Sequence, residues 1–251
     1  MFLLPISGHA ITLRAPGGCD ELSLAEAADV DLSTAVAVIG SAASKRDHAM
    51  APWPELPLAD LHAVLLALRR LLEGDRLVSE ALCTACAEKV DLSFSITEYL
   101  EAHAPKRVRG VIASVEPGWF DYGSAAFRVV SVADAIAASR SPDAVSFLRA
   151  ACVRSTDAKG FRRAESAMRA IAPLLSGELA GRCPECRAEV AVWFDPVSFV
   201  LSEMRHRAAG VYRDVHLLAS AYGWSELHIL HLPRSRRERY VEIVESAGGI
   251  D

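Results

Sequence analysis

Two short stretches one hundred positions apart constrain this chain more than any other feature: "LCTACAEKV" (Leu82–Val90) and "RCPECRAEV" (Arg182–Val190). Each is a Cys-x-x-Cys turn running into an apolar stretch. The likeness continues beyond the turns, since "CTACAEKVDLSF" sits over "CPECRAEVAVWF" with Cys, Cys, Val and Phe in register. Zinc takes four ligands in a tetrahedron, and thiolates at this separation reach it through one tight turn. One knuckle supplies two ligands, so Cys83, Cys86, Cys183 and Cys186 form a complete four-cysteine set with none missing and none spare. A thioredoxin-like redox pair needs one Cys-x-x-Cys at a helix N-terminus, and the β-like run after each pair speaks against it. The spacing therefore points to one structural zinc per chain. Ala87 and Arg187 depart from the Gly that usually follows the second Cys, and Thr84 stands where its twin has Pro184.

The separation also sets the domain organisation. A long insertion between the knuckles costs closure entropy only logarithmically in its length. Structural zinc contributes on the order of 10 kcal/mol of folding free energy, enough to clamp such a loop. The expected class is α+β: mixed and helix-rich, with a split zinc-ribbon-like unit and a helical C-terminal module. The segments are an N-terminal strand and helix region (1–57), a helix plus split knuckle core (58–196) holding the insertion (97–180), and a C-terminal docking module (197–251).

Local patterns fill in the elements. "AITLRA" (Ala10–Ala15) reads as a strand, with helices at Glu21–Ala28 and Ser33–Ser44 and a proline-rich joint at "APWPELP". Leu61, Val64, Leu65, Leu68, Leu71 and Leu72 fall at helical spacing, with Asp60, Arg69 and Arg70 on other faces. "RLVSEAL" reads as a strand delivering Cys83, "KVDLSFSI" alternates as a half-buried strand, and "EVAVWF" follows the second turn. A helix and a short connector precede each knuckle. "RVRGVIASVE" and "AAFRVVSV" suggest a hairpin around "PGWFDYGS". Helices follow at Val132–Ala138, at Pro142–Val153 capped by Ser141, and at Arg163–Ala172. "DPVSFVLSEMRHRAAGVYRDVHLLASAYGW" reads as one long helix interrupted only by Gly210. Two shorter ones follow at Ser225–Leu230 and Pro233–Glu245, with Ser235 and Glu238 spaced as a capping box and a frayed "SAGGID" tail. Cys19 and Cys152 lack partners in sequence and read as small buried hydrophobes.

Several segments, in order, resemble baseplate proteins of contractile phage tails and of phage-tail-like contractile injection systems. They are "ITLRAPGGCDELSLAEA", "WPELPLADLHAVLLALRRLLEGDRL", "CTACAEKVDLSFSITEYL", "CPECRAEVAVWFDPVSFVLSE" and "DVHLLASAYGWSELHILHLPRSRRERYVEIV". The last resembles the C-terminal module of the T-even-type baseplate hub assembly proteins. The resemblance implies a non-enzymatic component or assembly factor whose partners are hub, spike or tube-initiator proteins. Candidate partner-binding residues are Trp224, Arg234, Arg236, Arg237, Arg239 and Tyr240. The aromatic ones also read as intramolecular core, and the arginines as a solvated face or a docking surface for an acidic partner.

Two other classes compete. A zinc ribbon with an Arg-rich helix suits a nucleic-acid-binding, transcription-associated protein, but a net charge of −5 and few knuckle aromatics count against it. For an enzyme there is no phosphate loop, dinucleotide fingerprint, nucleophile elbow or H-E-x-x-H. Glu203 and His206 have one half of a di-iron spacing, and His228 and His231 read as a structural pair. With no basic leader and no apolar run of membrane-spanning length, the expected location is the cytoplasm of a bacterial host or producing cell, with incorporation into a tail particle open.

Overall fold

A computed structural model describes residues 1–43 and 52–248. The fold is α+β, mixed helix and sheet with a helical C-terminal region. Its central element is α3 (Leu58–Glu73), which follows α1 (Gly18–Glu26) and α2 (Leu32–Ala42). From Ala59 to Arg69 every residue of α3 is buried, polar ones included. This departs from the expectation that Asp60 and Arg69 lie on other, polar faces. Burial is tolerated because both are fully partnered. Asp60 accepts the backbone N–H groups of Ile6 and Ser7 at 2.8 and 2.9 Å, fixing the N-terminal turn. Arg69 donates to the carbonyls of Gly74 and Arg76 and to Glu203 at 3.1 Å.

The main core runs from Leu4, Ile11 and Ile39 through α3 to Val200 and Met204. This core draws residues from both sides of positions 57/58 and 196/197. The strand expected at Ala10–Ala15 shrinks to β2 (Ala10–Ile11), paired with β1 (Phe2–Leu3). Ser44, the expected end of α2, and Ala51 of the proline-rich joint lie outside the described residues, as does the end of the C-terminal tail.

After α3 come β3 (Arg76–Leu82) and β4 (Lys89–Ser95), an antiparallel hairpin, then α4 (Ile96–Ala102). One hundred residues on the pattern returns as β9 (Gly177–Arg182) and β10 (Glu189–Phe194), then α8 (Pro196–Ala208). The connector expected before Cys183 is thus a strand. Its "GELAGR" sequence hides it, because two glycines replace the side chains that give a strand its period. Gly181 has a positional reason: a Cβ there would lie 2.6 Å from Leu92 Cδ2 of the opposite hairpin, so a larger residue would require the Leu92 side chain to shift.

Between the repeats lies a small unit with its own core. Strands β5 (Ile112–Ala113), β6 (Trp119–Tyr122), β7 (Ala125–Arg128) and β8 (Val153–Ser155) form one sheet. The expected two-stranded hairpin is corrected here, since "WFDY" is itself the second strand. Helices α5 (Val132–Ser139), α6 (Ala144–Cys152) and α7 (Ala158–Ile171) lie in the same stretch of chain; Val132 and Ile136 of α5 pack on the main core, and α7 covers the sheet. Asp143 and Asp157 cap α6 and α7, replacing Ser141 and moving the expected start of α7 from Arg163 to Ala158. Phe127 and Val153 pack under Ala164 and Ala167 of α7. Cys152 is buried as expected, whereas Cys19 is exposed.

The expected long C-terminal helix is two helices, α8 and α9 (Val211–Tyr222), with the break at Ala209–Gly210. They are followed by α10 (Glu226–His231) and α11 (Arg234–Gly248). The last helix passes beyond Glu245, and Ser235 falls inside its first turn, where Glu238 pairs with Arg234. Among the described residues, no helix is long and apolar enough to cross a membrane.

His62 on α3 is buried and its Nδ1 has no hydrogen-bond partner. Burial pushes its pKa down to about 4, against a weaker opposing pull from Asp195. The unfolded chain protonates His62 near 6.5, so its share of stability is whole above that pH and is lost as pH falls toward 4. That loss amounts to about 3 kcal/mol. Denaturant midpoints measured from pH 7 to pH 4 should fall less steeply in a His62→Leu variant than in the parent; parallel curves would refute this.

Candidate metal centre

Each knuckle is built by the same backbone bonds. Cys83 N–H donates to the Glu88 carbonyl at 2.9 Å, and Ala87 N–H to the Cys83 carbonyl at 2.8 Å. In the second knuckle, Cys183 bonds Ala188 at 2.9 Å and Arg187 bonds Cys183 at 3.0 Å. Both turns place the residue after the second Cys in the left-handed region, Ala87 at φ 59° and Arg187 at φ 61°. This explains why glycine usually stands there: a Cβ in that conformation costs roughly 1–2 kcal/mol. Ala87→Gly and Arg187→Gly should each raise stability, by about 0.5–1 kcal/mol once glycine's greater unfolded-state entropy is subtracted. Thermal unfolding checks this, and a lowered midpoint in both variants would contradict it.

The hairpins deliver all four thiols to one point. Cys83 Sγ lies 3.6 Å from Cys186 Sγ, and Cys86 Sγ lies 3.6 Å from Cys183 Sγ. All four sulfurs lie within 4.8 Å of one another. An ion bonded to four thiolates at about 2.3 Å requires sulfur separations of about 3.8 Å, so the cluster is close to metal-ready. Cys83 and Cys183 are buried beside Val90 and Val190, while Cys86 and Cys186 face solvent.

The electrostatics suit a cation. Backbone N–H groups of Cys86 and Ala85 point at Cys83 Sγ and hold its thiol down to about 7. The backbone N–H of Glu88 acts in the same direction on Cys86, but the neighbouring sulfurs Cys186, Cys183 and Cys83 outweigh it, and burial adds to them. The Cys86 thiol is pushed up to about 12. One thiolate forms readily and further ones repel it, until a bound dication compensates their charge. The site could hold a metal ion, with four protein sulfurs as the number of ligands a tetrahedral shell takes.

The remaining candidate residues are distributed differently. Arg237 is 1% exposed and makes ion pairs with Glu21 and, at 2.9 Å, with Asp214. It is therefore unavailable as a docking residue, a correction with a clear cause: α1 brings Glu21 beneath it. Arg234 reaches Glu21 at 2.9 Å and Glu238 at 2.7 Å. Arg239 and Arg236 are exposed, the former paired with Glu242 at 2.7 Å. Trp224 packs edge-on to Tyr240 at 5.1 Å and stacks on Tyr222 at 4.8 Å. Glu203 is engaged by Arg69, and His231 Nδ1 lies 2.6 Å from the Leu227 carbonyl. Sequence reasoning missed Glu21 and Asp214, whose only signal was their acidic character among many such residues.

The fold and site define an α+β protein with a split cluster of four cysteines that could hold a metal ion. Comparison with known proteins finds no matching family model, no matching curated protein and no matching solved structure.

Proposed function

We propose that this chain is a non-enzymatic structural or assembly protein of the baseplate hub in a contractile phage tail or phage-tail-like injection system. One zinc ion on Cys83, Cys86, Cys183 and Cys186 holds it in shape. The observation that carries the metal half of this reading is the convergence of four cysteine sulfurs within 4.8 Å of one another at the junction of two hairpins. Thiolates select zinc over hard cations such as magnesium or calcium. Four protein ligands leave no open position for a reacting water, so the ion's work is to staple. The baseplate half rests on the ordered sequence segments resembling that family, and the helical C-terminal module fits a protein that docks to others.

A tagged pull-down from the native cell, nuclease-treated and read by mass spectrometry, tests the assembly role. Hub, spike, tube-initiator or wedge proteins should be recovered. RNA polymerase subunits, or nucleic acid lost on nuclease treatment, would transfer the zinc ribbon to transcription and end the baseplate reading.

A further inference from the structure

Charge is unevenly divided along this acidic chain. Residues 103–172 hold eleven Lys and Arg against six Asp and Glu, although the whole chain has 27 against 32. The fold concentrates that excess around α7. Phe161, Ala164, Ala167, Met168 and Ile171 face its core, which leaves Arg162, Arg163 and Arg169 outward. The segment 104–111 runs beside the helix, tied by Lys106 N–H to the Ala170 carbonyl at 2.8 Å and by Val108 and Val111 packing inward. Its alternation turns Arg107 and Arg109 to solvent beside Lys106. Among the described residues, none of these six cations meets a carboxylate in an ion pair. Glu165 and Glu116 are engaged by Arg149 and Arg154, and Asp157 caps α7.

Beside this cationic face lies an apolar groove between α6 and α7, a cavity of about 350 Å³. Val145, Leu148 and Cys152 line it from α6, and Met168 from α7. Val145 is 60% exposed and Leu174, at one end, 45% exposed, so the groove is open rather than closed core. Arg149 and Arg169 stand on its walls, and Arg162 is two turns before Arg169 on α7.

The geometry points to this groove as the docking site for an acidic amphipathic helix of a partner protein. Its apolar face would lie between α6 and α7, and its carboxylates would meet Arg162, Arg169 and the cations behind them. Charge complementarity selects an acidic partner, and the apolar floor selects one with a hydrophobic stripe. Single-stranded nucleic acid fits less well, because the aromatic faces on which bases would stack are already covered. Arg163 lies over Tyr122 at 4.5 Å, and Arg154 over Trp119 at 3.6 Å.

The test uses the full chain and two fluorescein-labelled peptides of identical Leu/Glu composition. One has leucines at helical i, i+3, i+4, i+7 spacing; the other has them scattered. The amphipathic peptide should bind at least tenfold more tightly by fluorescence anisotropy. An Arg162→Glu/Arg169→Glu variant should lose at least tenfold of that affinity while keeping its circular dichroism spectrum, as both side chains are exposed. Val145→Glu, on the groove floor, should weaken binding independently. Equal binding of the two peptides, no binding of either, unchanged affinity in the variants, or tighter binding of a DNA oligonucleotide would each overturn the inference. None of these readouts depends on the metal or on the baseplate reading.

Discussion

Replacing Cys183 by serine is expected to strip the metal from the chain and to lower its stability sharply. The two hairpins are two-stranded, a form that is marginal in water without further support. Little apolar surface holds their tips together: Cys83, Val90, Cys183 and Val190 are the buried residues of that cluster. A structural zinc contributes on the order of 10 kcal/mol, and losing one of four thiolates forfeits a large part of it. The remaining thiols then resist ionisation, since their sulfurs already push Cys86 up to about 12. Elemental analysis beside thermal unfolding makes the comparison. About one zinc per chain should be present in the parent and lost in the variant, together with a large drop in midpoint. A parent free of metal, and as stable as its variant, would eliminate the staple.

The second large effect concerns the way the C-terminal helices are held. Arg237 of α11 is buried between Glu21 of α1 and Asp214 of α9, and Arg234 also reaches Glu21. Close approach makes this possible. At Gly18, in the first turn of α1, a Cβ would come within 2.6 Å of Arg237 Nη1 and 2.8 Å of the Leu230 Cα. Arg237→Ala removes the cation that Glu21 and Asp214 share, leaving Asp214 without that partner and Glu21 with Arg234 alone. Removing one partner of a buried ion cluster costs about 3–5 kcal/mol. A Glu21→Gln/Arg237→Gln double variant should lose less than the sum of its single changes, because the groups act as one network. Denaturant unfolding gives these energies, and hydrogen exchange across α9 to α11 reports whether the module loosens first. A cost below about 1 kcal/mol for Arg237→Ala would contradict the burial argument.

Much of the candidate site was legible in the chain alone. Cysteine type, number and spacing identify Cys83, Cys86, Cys183 and Cys186 because a knuckle is a local structure: one turn, set by residues adjacent in the chain, presents both sulfurs. The helical stripe of α3 and the alternation of β4 and β10 are local in the same sense. The strand β9 was not legible, since Gly177 and Gly181 depart from strand propensity, and Gly181 answers to the approach of the opposite hairpin. The break between α8 and α9 was masked by apolar spacing that continues across Gly210.

What the sequence by itself determined was the α+β class and the identity of the four converging thiols. Both follow from short-range periodicity and ligand chemistry. What only the tertiary structure decided was where the charges ended up. Asp60, Arg69 and Arg237 look like surface residues in the chain, yet each is buried because a distant segment supplies its counter-group: the backbone at Ile6 and Ser7, Glu203, and Glu21 with Asp214. Arg162, Arg163 and Arg169 remain exposed because the opposite face of α7 is the one packed on the core, and no carboxylate pairs with them among the described residues. Sequence carries the charge of a side chain, but the free energy of that charge depends on solvent access and on partners that only folding brings within reach.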